Sequence, residues 1–402
     1  MANLATRRVD PVSFHSELQT RLAAGVDDTR AAAASVGAGR SLTLRDVTDA
    51  VAFTYRAGES GVEIAEGPGG NVVAELDRDA FEDLLTERWS VFGLLYSQRI
   101  RITSGTFEQF ASWEPALQNL WFGRDLYDDA AVDRLGSGDD GFDPARDFTL
   151  ADDDAVLAAQ LQRAGFLVLR QVFTEAEIAE LDAEERGLQA LATPEDGRSW
   201  WATDASGHEV CCRLTYTSMR SDIFGRLHED PRLRRIAALH GEALSPAPDR
   251  LDGTSVVIKN PAVVSGLSDL PWHRDCGMGG HPVLCPGINI GIQLDEASAA
   301  NGQLAFLAGS HHHTNLPGEI ARHPDWPVVA VDARPGDVTV HYAHVLHVAP
   351  PPTSPTAHRR AVYVSFVNPE VFSVVPEGKG YNDVVFHHGD GRVRNVDELS
   401  AS

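Results

Sequence analysis

Hydrophobic and polar positions repeat with two different periods along this chain, and the places where one gives way to the other divide it. Strand-like runs at Ala50 to Tyr55, Val62 to Ala65 and Val72 to Leu76 are separated by glycine turns such as Gly67-Pro68-Gly69-Gly70, which predicts a meander. Asp79 then opens a helical stripe of Phe81, Leu84 and Leu85. Another strand runs through Arg99 to Thr103, and Phe107, Phe110, Leu117, Leu120 and Trp121 return to helical spacing. From Asp128 to Asp147 no period survives in DDAAVDRLGSGDDGFDPARD, a composition that predicts a linker.

Beyond the linker, Asp154 to Ala164 carries Val156, Leu157 and Leu161 on one side of a helix, and Phe166 to Leu169 follows as a strand. Thr174 and Glu177 form a capping-box signature for a helix bearing Ile178, Leu181 and Leu188. After Thr254 the texture becomes β, with strands expected at Ser255 to Lys259, Ile288 to Leu294, Gln303 to Leu307, Val328 to Val331, Val338 to Tyr342 and Ala361 to Val367. Their number and their Gly/Pro turns predict a double-stranded β-helix, a cupin-like jelly roll with flanking helices. The domain reading is therefore an α+β domain over residues 1–127, a linker over 128–147, and the jelly roll over 148–402.

Charge narrows the partners. With 34 Lys and Arg against 58 Asp and Glu, the net charge of -24 disfavours nucleic acid and anionic membrane surfaces, and Lys259 and Lys379 are the only lysines. No apolar run approaches the roughly 20 residues that span a bilayer, and Arg7 and Arg8 are not followed by the apolar stretch of a secretory signal. A cytoplasmic location is expected. Cys211, Cys212, Cys276 and Cys285 lack the spacing of a zinc site and are expected as reduced thiols.

The chemistry concentrates in Pro271-Trp272-His273-Arg274-Asp275. On an extended segment His273 and Asp275 project to the same side, so one metal could meet both. A non-haem Fe(II) oxygenase needs one carboxylate and two neutral imidazoles on one face of the octahedron. Spacing alone leaves His341, His344, His347 and His358 as candidates for the second imidazole. In the last strand Arg359 shares the more polar face with Tyr363 and Ser365, and a guanidinium fork on that face suits a carboxylate; Arg360 competes with it.

Five stretches, "QLQRAGFLVLRQVFTEAEIAEL", "VVIKNPAVVSGLSDLPWHRD", "INIGIQLDEASAANGQLAFLAGSHH", "RPGDVTVHYAHVLHVAPPP" and "HRRAVYVSF", resemble in order those of the phytanoyl-CoA dioxygenase family, over Phe148 to Asn368. The resemblance implies iron held by His273, Asp275 and His347, with Arg359 on the far carboxylate of 2-oxoglutarate. It makes Asn301, Gly302, Gly309, Ser310 and His311 structural turns, and His341 and His344 packing neighbours of the ligands. The implied cofactors are Fe(II), 2-oxoglutarate and O2. Gly291 departs from the family, which carries a bulky aromatic nearby, and Val348-Ala349 departs from the family's Gly-Ser. His311 to His313 are expected as loop residues at the barrel mouth.

The implied reaction is oxidation, by default hydroxylation, of a C–H bond, with decarboxylation of 2-oxoglutarate to succinate and CO2. Leu42 to Arg124 resembles the sterol-carrier-protein-like family, and together with the scarcity of lysines this favours a hydrophobic small-molecule substrate. The same segment reads equally as a docking or dimerisation module, which would make the protein a homodimer. Two rival classes stay open: a metal-dependent jelly-roll enzyme independent of 2-oxoglutarate, and a non-catalytic lipid-binding protein.

Overall fold

The computed structural model describes residues 9–25, 29–136, 141–278, 283, 285, 287–314, 317–371, 375, 378, 380–386 and 390–400; Arg7, Arg8, residues 137–140 of the expected linker and Lys379 lie outside them. The first strands are β1 (Ser41–Asp46), β2 (Val51–Gly58), β3 (Gly61–Glu66), β4 (Val72–Leu76) and β5 (Ile100–Ser104). They form one sheet in the order β3-β2-β1-β4-β5, antiparallel except for the parallel pair β1 and β4. Leu42 and Leu44 are fully buried with Phe81, Phe110 and Trp113, and Thr43 between them is buried too, its hydroxyl bonded to Thr54 and to the Gly70 N–H.

One polar chain crosses this apolar interior. Trp121 Nε1 donates to the Tyr55 hydroxyl at 3.0 Å, Tyr55 donates to His15 Nε2 at 2.6 Å, and His15 Nδ1 donates to the Pro11 carbonyl at 2.6 Å. Only a neutral His15 satisfies all three bonds, and burial pushes its pKa from 6.5 down to about 4. The unfolded chain therefore binds a proton that the folded chain refuses between these values. Stability contributed by His15 is present above pH 6.5 and is lost as pH falls toward 4, by about 2 kcal/mol at pH 5. Denaturant melts across pH 4 to 7 should show this loss, and His15→Leu should flatten it.

The remaining strands are β6 (Asp147–Phe148), β7 (Phe166–Leu169), β8 (Ser199–Asp204), β9 (Glu209–Leu214), β10 (Ser245–Pro246), β11 (Thr254–Lys259) and β12 (Val263–Ser265), then β13 (Leu270–His273), β14 (Gly287–Gln293), β15 (Ala305–Leu307), β16 (Val328–Ala330), β17 (Val338–Tyr342), β18 (His347–Ala349) and β19 (Arg359–Val367). The larger sheet runs β12-β8-β9-β11-β19-β14-β17-β7-β6, with β10 beside β19; the smaller runs β13-β18-β15-β16. The two sheets pack through their apolar faces, where Phe166 of β7 stacks on Phe306 of β15 with ring centroids 4.6 Å apart. Mixed sheets with helices make this an α+β protein. Among the described residues no helix is long and apolar enough to cross a membrane.

The stretch expected to be linker is partly ordered. Asp128 accepts the Ala131 N–H at 2.8 Å and starts a helix over Asp129–Gly136, which buries Ala131 with Leu307 and Trp326. Capping by an aspartate and the packing of Ala131, Val132 and Leu135 order a segment in which no hydrophobic period exists. The interior of the N-terminal sheet also does not end at this boundary: its cluster continues through Trp200, Ala202, Cys212, Val384, Val385 and Val393.

Candidate metal centre

The register of the larger sheet determines which side chains face the cleft between the sheets. Ser365 pairs with Asn289, and Asn289 with His341, so these three form one inward row. Tyr363, Gly291 and Thr339 form the next. A Cβ at Gly291 would lie 2.8 Å from the Tyr363 ring and 2.7 Å from Thr339 Oγ1, so the tyrosine occupies the space that a side chain at 291 would need. Arg359 completes the inward set on β19, as alternation from Tyr363 requires.

His273 ends β13 and His347 begins β18, and the two are direct antiparallel partners with ring centroids 4.2 Å apart. Asp275 lies just past β13 in a bend rather than on extended chain; its N–H donates to the Ala343 carbonyl at 2.9 Å. The carboxylate still points to the same side. Asp275 Oδ1 is 3.5 Å from His273 Nε2 and 3.6 Å from His347 Nε2, separations suited to bonds of about 2.1 Å to one ion. Among the described residues this is the one group of three acidic, thiol or imidazole side chains that could hold a metal ion.

Both imidazoles are prepared for it. His273 Nδ1 donates to the Pro271 carbonyl at 2.7 Å and His347 Nδ1 to the Val345 carbonyl at 3.0 Å, so each Nε2 presents a lone pair. Burial, reinforced by the neighbouring His273, holds His347 neutral with its pKa down to about 3. Burial works against the Asp275 carboxylate, yet the surrounding imidazoles, His347 foremost, keep its pKa well below the ordinary value. Asn289 donates to its Oδ2 at 2.6 Å and His341 Nε2 at 3.1 Å, which fixes the carboxylate plane.

The other histidines are elsewhere. His344 donates to the Cys285 carbonyl, and His358 lines a separate surface pocket with Arg360. His311, expected as a loop residue at the barrel mouth, lies in a 3-10 turn over Ser310–His312 that buries it on the Tyr342 ring, and its Nε2 donates to the Gln162 carbonyl. The turns themselves act structurally. Asn301 accepts the Ser298 N–H and Ser310 Oγ accepts the Leu346 N–H.

Arg359 and Arg360 differ sharply. Arg360 pairs with Asp182, Glu185 and Asp295 on the far side of the sheet. Arg359 is 1% exposed, faces the cleft, and its Nε and Nη2 have no hydrogen-bond partner in the protein. A buried guanidinium in that state is a cradle for an anion.

A family model described as phytanoyl-CoA dioxygenase matches residues 161–361, half of the chain. The chain belongs to the phytanoyl-CoA dioxygenase family. This family member is accordingly a non-haem iron, 2-oxoglutarate-dependent oxygenase, and its cofactors are Fe(II), 2-oxoglutarate and O2. The residues fit that pair, since the neutral imidazoles and carboxylate suit ferrous iron and Arg359 suits a dicarboxylate. Among solved structures, AviO1 from Streptomyces viridochromogenes Tue57 is 26% identical over 54% of this chain and 96% of its own, with a TM-score of 0.42. The epimerase SnoN, in complex with Fe3+, alpha ketoglutarate and nogalamycin RO, is 23% identical over 56% and 91%, with a TM-score of 0.43. EctD from S. alaskensis, with 2-oxoglutarate and 5-hydroxyectoine, is 20% identical over 56% and 81%, with a TM-score of 0.44. No sequence among the curated proteins matches the chain.

Sequence reasoning missed Asn289 and Arg213 in the lining of this cleft, and Lys259 next to it. Strand parity already put Tyr363 beside Arg359. Asn289 needed the β14 register, which no single-strand pattern contains. Arg213 lines the cleft from β9, paired with Asp252 and lying over the Trp200 ring at 4.7 Å. Lys259, fully buried, donates to Asp269 and to the Ala349 carbonyl, and so joins β11 to the smaller sheet beside Arg359.

Proposed function

We propose that His273, Asp275 and His347 hold the ferrous ion, that Arg359 receives the far carboxylate of 2-oxoglutarate, and that the enzyme hydroxylates a C–H bond of a small, largely hydrophobic metabolite. The two facing sheets support a double-stranded β-helix, with the site in its mouth. The observation that carries the reading is the buried Arg359, whose Nε and Nη2 have no hydrogen-bond partner in the protein, opening on the same cleft as His273, Asp275 and His347.

Iron supplies the redox chemistry by which 2-oxoglutarate, O2 and R–H become succinate, CO2 and R–OH. The protein's own part is placement. Asn289 and His341 hold the Asp275 carboxylate in its orientation, and the carbonyls of Pro271 and Val345 hold the two imidazoles in the ligating tautomer. Leu251, Val257, Ile288 and Val367 give the cleft apolar walls that exclude water, while Arg213 with Asp252 gives it one polar end for an oxygen-bearing group of the substrate. Residues 1–127 act as a docking domain with a filled aromatic interior; co-purification of lipid in an organic extract would instead favour the sterol-carrier reading.

The test is succinate formation by anaerobically purified protein given Fe(II), 2-oxoglutarate and O2. Slow turnover without substrate is expected for the native chain and none for His273→Ala. Oxidation of a substrate that persists without 2-oxoglutarate would favour the cosubstrate-independent enzyme.

A further inference from the structure

Alternation at the metal segment works outward as well as inward. With His273 and Asp275 facing the cleft, Arg274 between them points away, where its Nε donates to the His344 carbonyl at 2.9 Å and its Nη2 to those of His313 and Ser310 at 3.1 and 3.3 Å. Its charge is also felt by Glu114 of the N-terminal domain, a carboxyl that burial raises to about 7. Two residues past Asp275 that domain makes direct contact. The Gly277 carbonyl accepts both the N–H and the hydroxyl of Ser90, each at 2.9 Å.

Ser90 is the N-cap of a helix over Val91–Tyr96, and its Oγ accepts the Gly93 N–H at 3.1 Å while donating to Gly277. The approach is so close that it needs glycine on both sides. A Cβ on Gly93 would lie 2.2 Å from the Gly277 oxygen; Gly277 has φ +82°, and a Cβ there would lie 2.7 Å from the Ser90 Cβ. Farther along, the Val283 N–H donates to the Glu87 carbonyl at 2.8 Å, and Met278 packs on the N-terminal core. Asp275 itself lies beyond the end of β13, so the strand ladder does not fix it.

We propose that the N-terminal domain is a working part of the metal centre: Ser90 and Gly93 are positioning residues that fix the backbone at Gly277 and thereby set the Asp275 carboxylate against His273 and His347. The inference rests on the assignment of Asp275 as an iron ligand. A carboxylate displaced by a fraction of an ångström no longer shares an ion with two imidazoles, so a contact two residues away tunes metal affinity.

The experiment is an anaerobic Fe(II) titration of full-length protein, with amide hydrogen exchange over residues 273–278 in the metal-free state. Ser90→Ala and Gly93→Ala should each weaken Fe(II) binding by about 10- to 100-fold and speed exchange at Asp275, and Ser90→Thr should restore both. Leu42→Ala, a cavity in β1, should lower the melting temperature and leave Fe(II) affinity intact, separating positioning from general destabilisation. Unchanged Fe(II) affinity in both Ser90→Ala and Gly93→Ala would overturn the proposal, as would equal weakening by Leu42→Ala. His273→Ala distinguishes the levels: native Fe(II) binding by that variant would overturn the ligand assignment itself, whereas its loss beside normal binding in the Ser90 and Gly93 variants would overturn only the positioning role.

Discussion

Asp275→Ala is expected to abolish Fe(II) binding and to reduce succinate formation by at least about 10³-fold, the scale of the several kcal/mol a Lewis-acid metal supplies. The residue is more than one of three donors. It accepts from Asn289 and His341 and sits opposite both Nε2 atoms, so its removal leaves two imidazoles with no charge between them. Stability should fall as well, because the lost partner leaves the Asn289 amide and the His341 N–H short of an acceptor, a cost of about 1–3 kcal/mol each. Metal titration and thermal melting of one preparation check both halves. Near-native Fe(II) affinity would remove Asp275 from the ligand set.

The adjacent arginines should separate cleanly. Arg359→Ala is expected to raise the KM for 2-oxoglutarate by about 10²-fold, since charge-assisted hydrogen bonds contribute about 1.5–3 kcal/mol each, and to leave folding intact because no protein group depends on its Nε or Nη2. Arg359→Lys should recover part of the loss, an ammonium keeping the charge but not the fork. Arg360→Ala should do the reverse. It strands Glu185, which is fully buried, beside Asp182 and Asp295, a loss of about 3–5 kcal/mol, with little change in KM for any protein that stays folded. Steady-state kinetics in 2-oxoglutarate beside urea melts of each variant would decide it, and a KM effect at Arg360 larger than at Arg359 would exchange their roles.

How much of this was legible depended on apolar runs bounded by turn residues rather than on strand length: β7, β15 and β16 were expected at four, three and three residues, whereas β1, β8 and β9, six residues each, were not. β4, β7 and β17 lie where the hydrophobic pattern puts them, and β14 and β19 within two residues, because short runs rich in apolar and β-branched residues carry their own signal. β13 and β18 were missed. Their sequences, LPWH and HVA, carry no apolar run, and they exist because they pair with each other. The choice of His347 over His341, His344 and His358 therefore came from resemblance to the family, since the pairing that brings it to His273 is a tertiary fact. Arg359 was different: parity along β19 places it with Tyr363 and Ser365, and the structure adds that Arg360, on the other face, is already paired with Asp182, Glu185 and Asp295. Asp275 shows the limit of the period-two argument, having reached the correct side from a bend.

The N-terminal sheet and the oxygenase strands bury their apolar side chains in common, from Leu42 through Trp200 to Val393. Neither half keeps a finished surface when the other is taken away. Cutting the chain between the two would therefore expose Trp200, Ala202 and Val384 to water, so an oxygenase half made without the first hundred residues is expected to aggregate unless these positions are made polar.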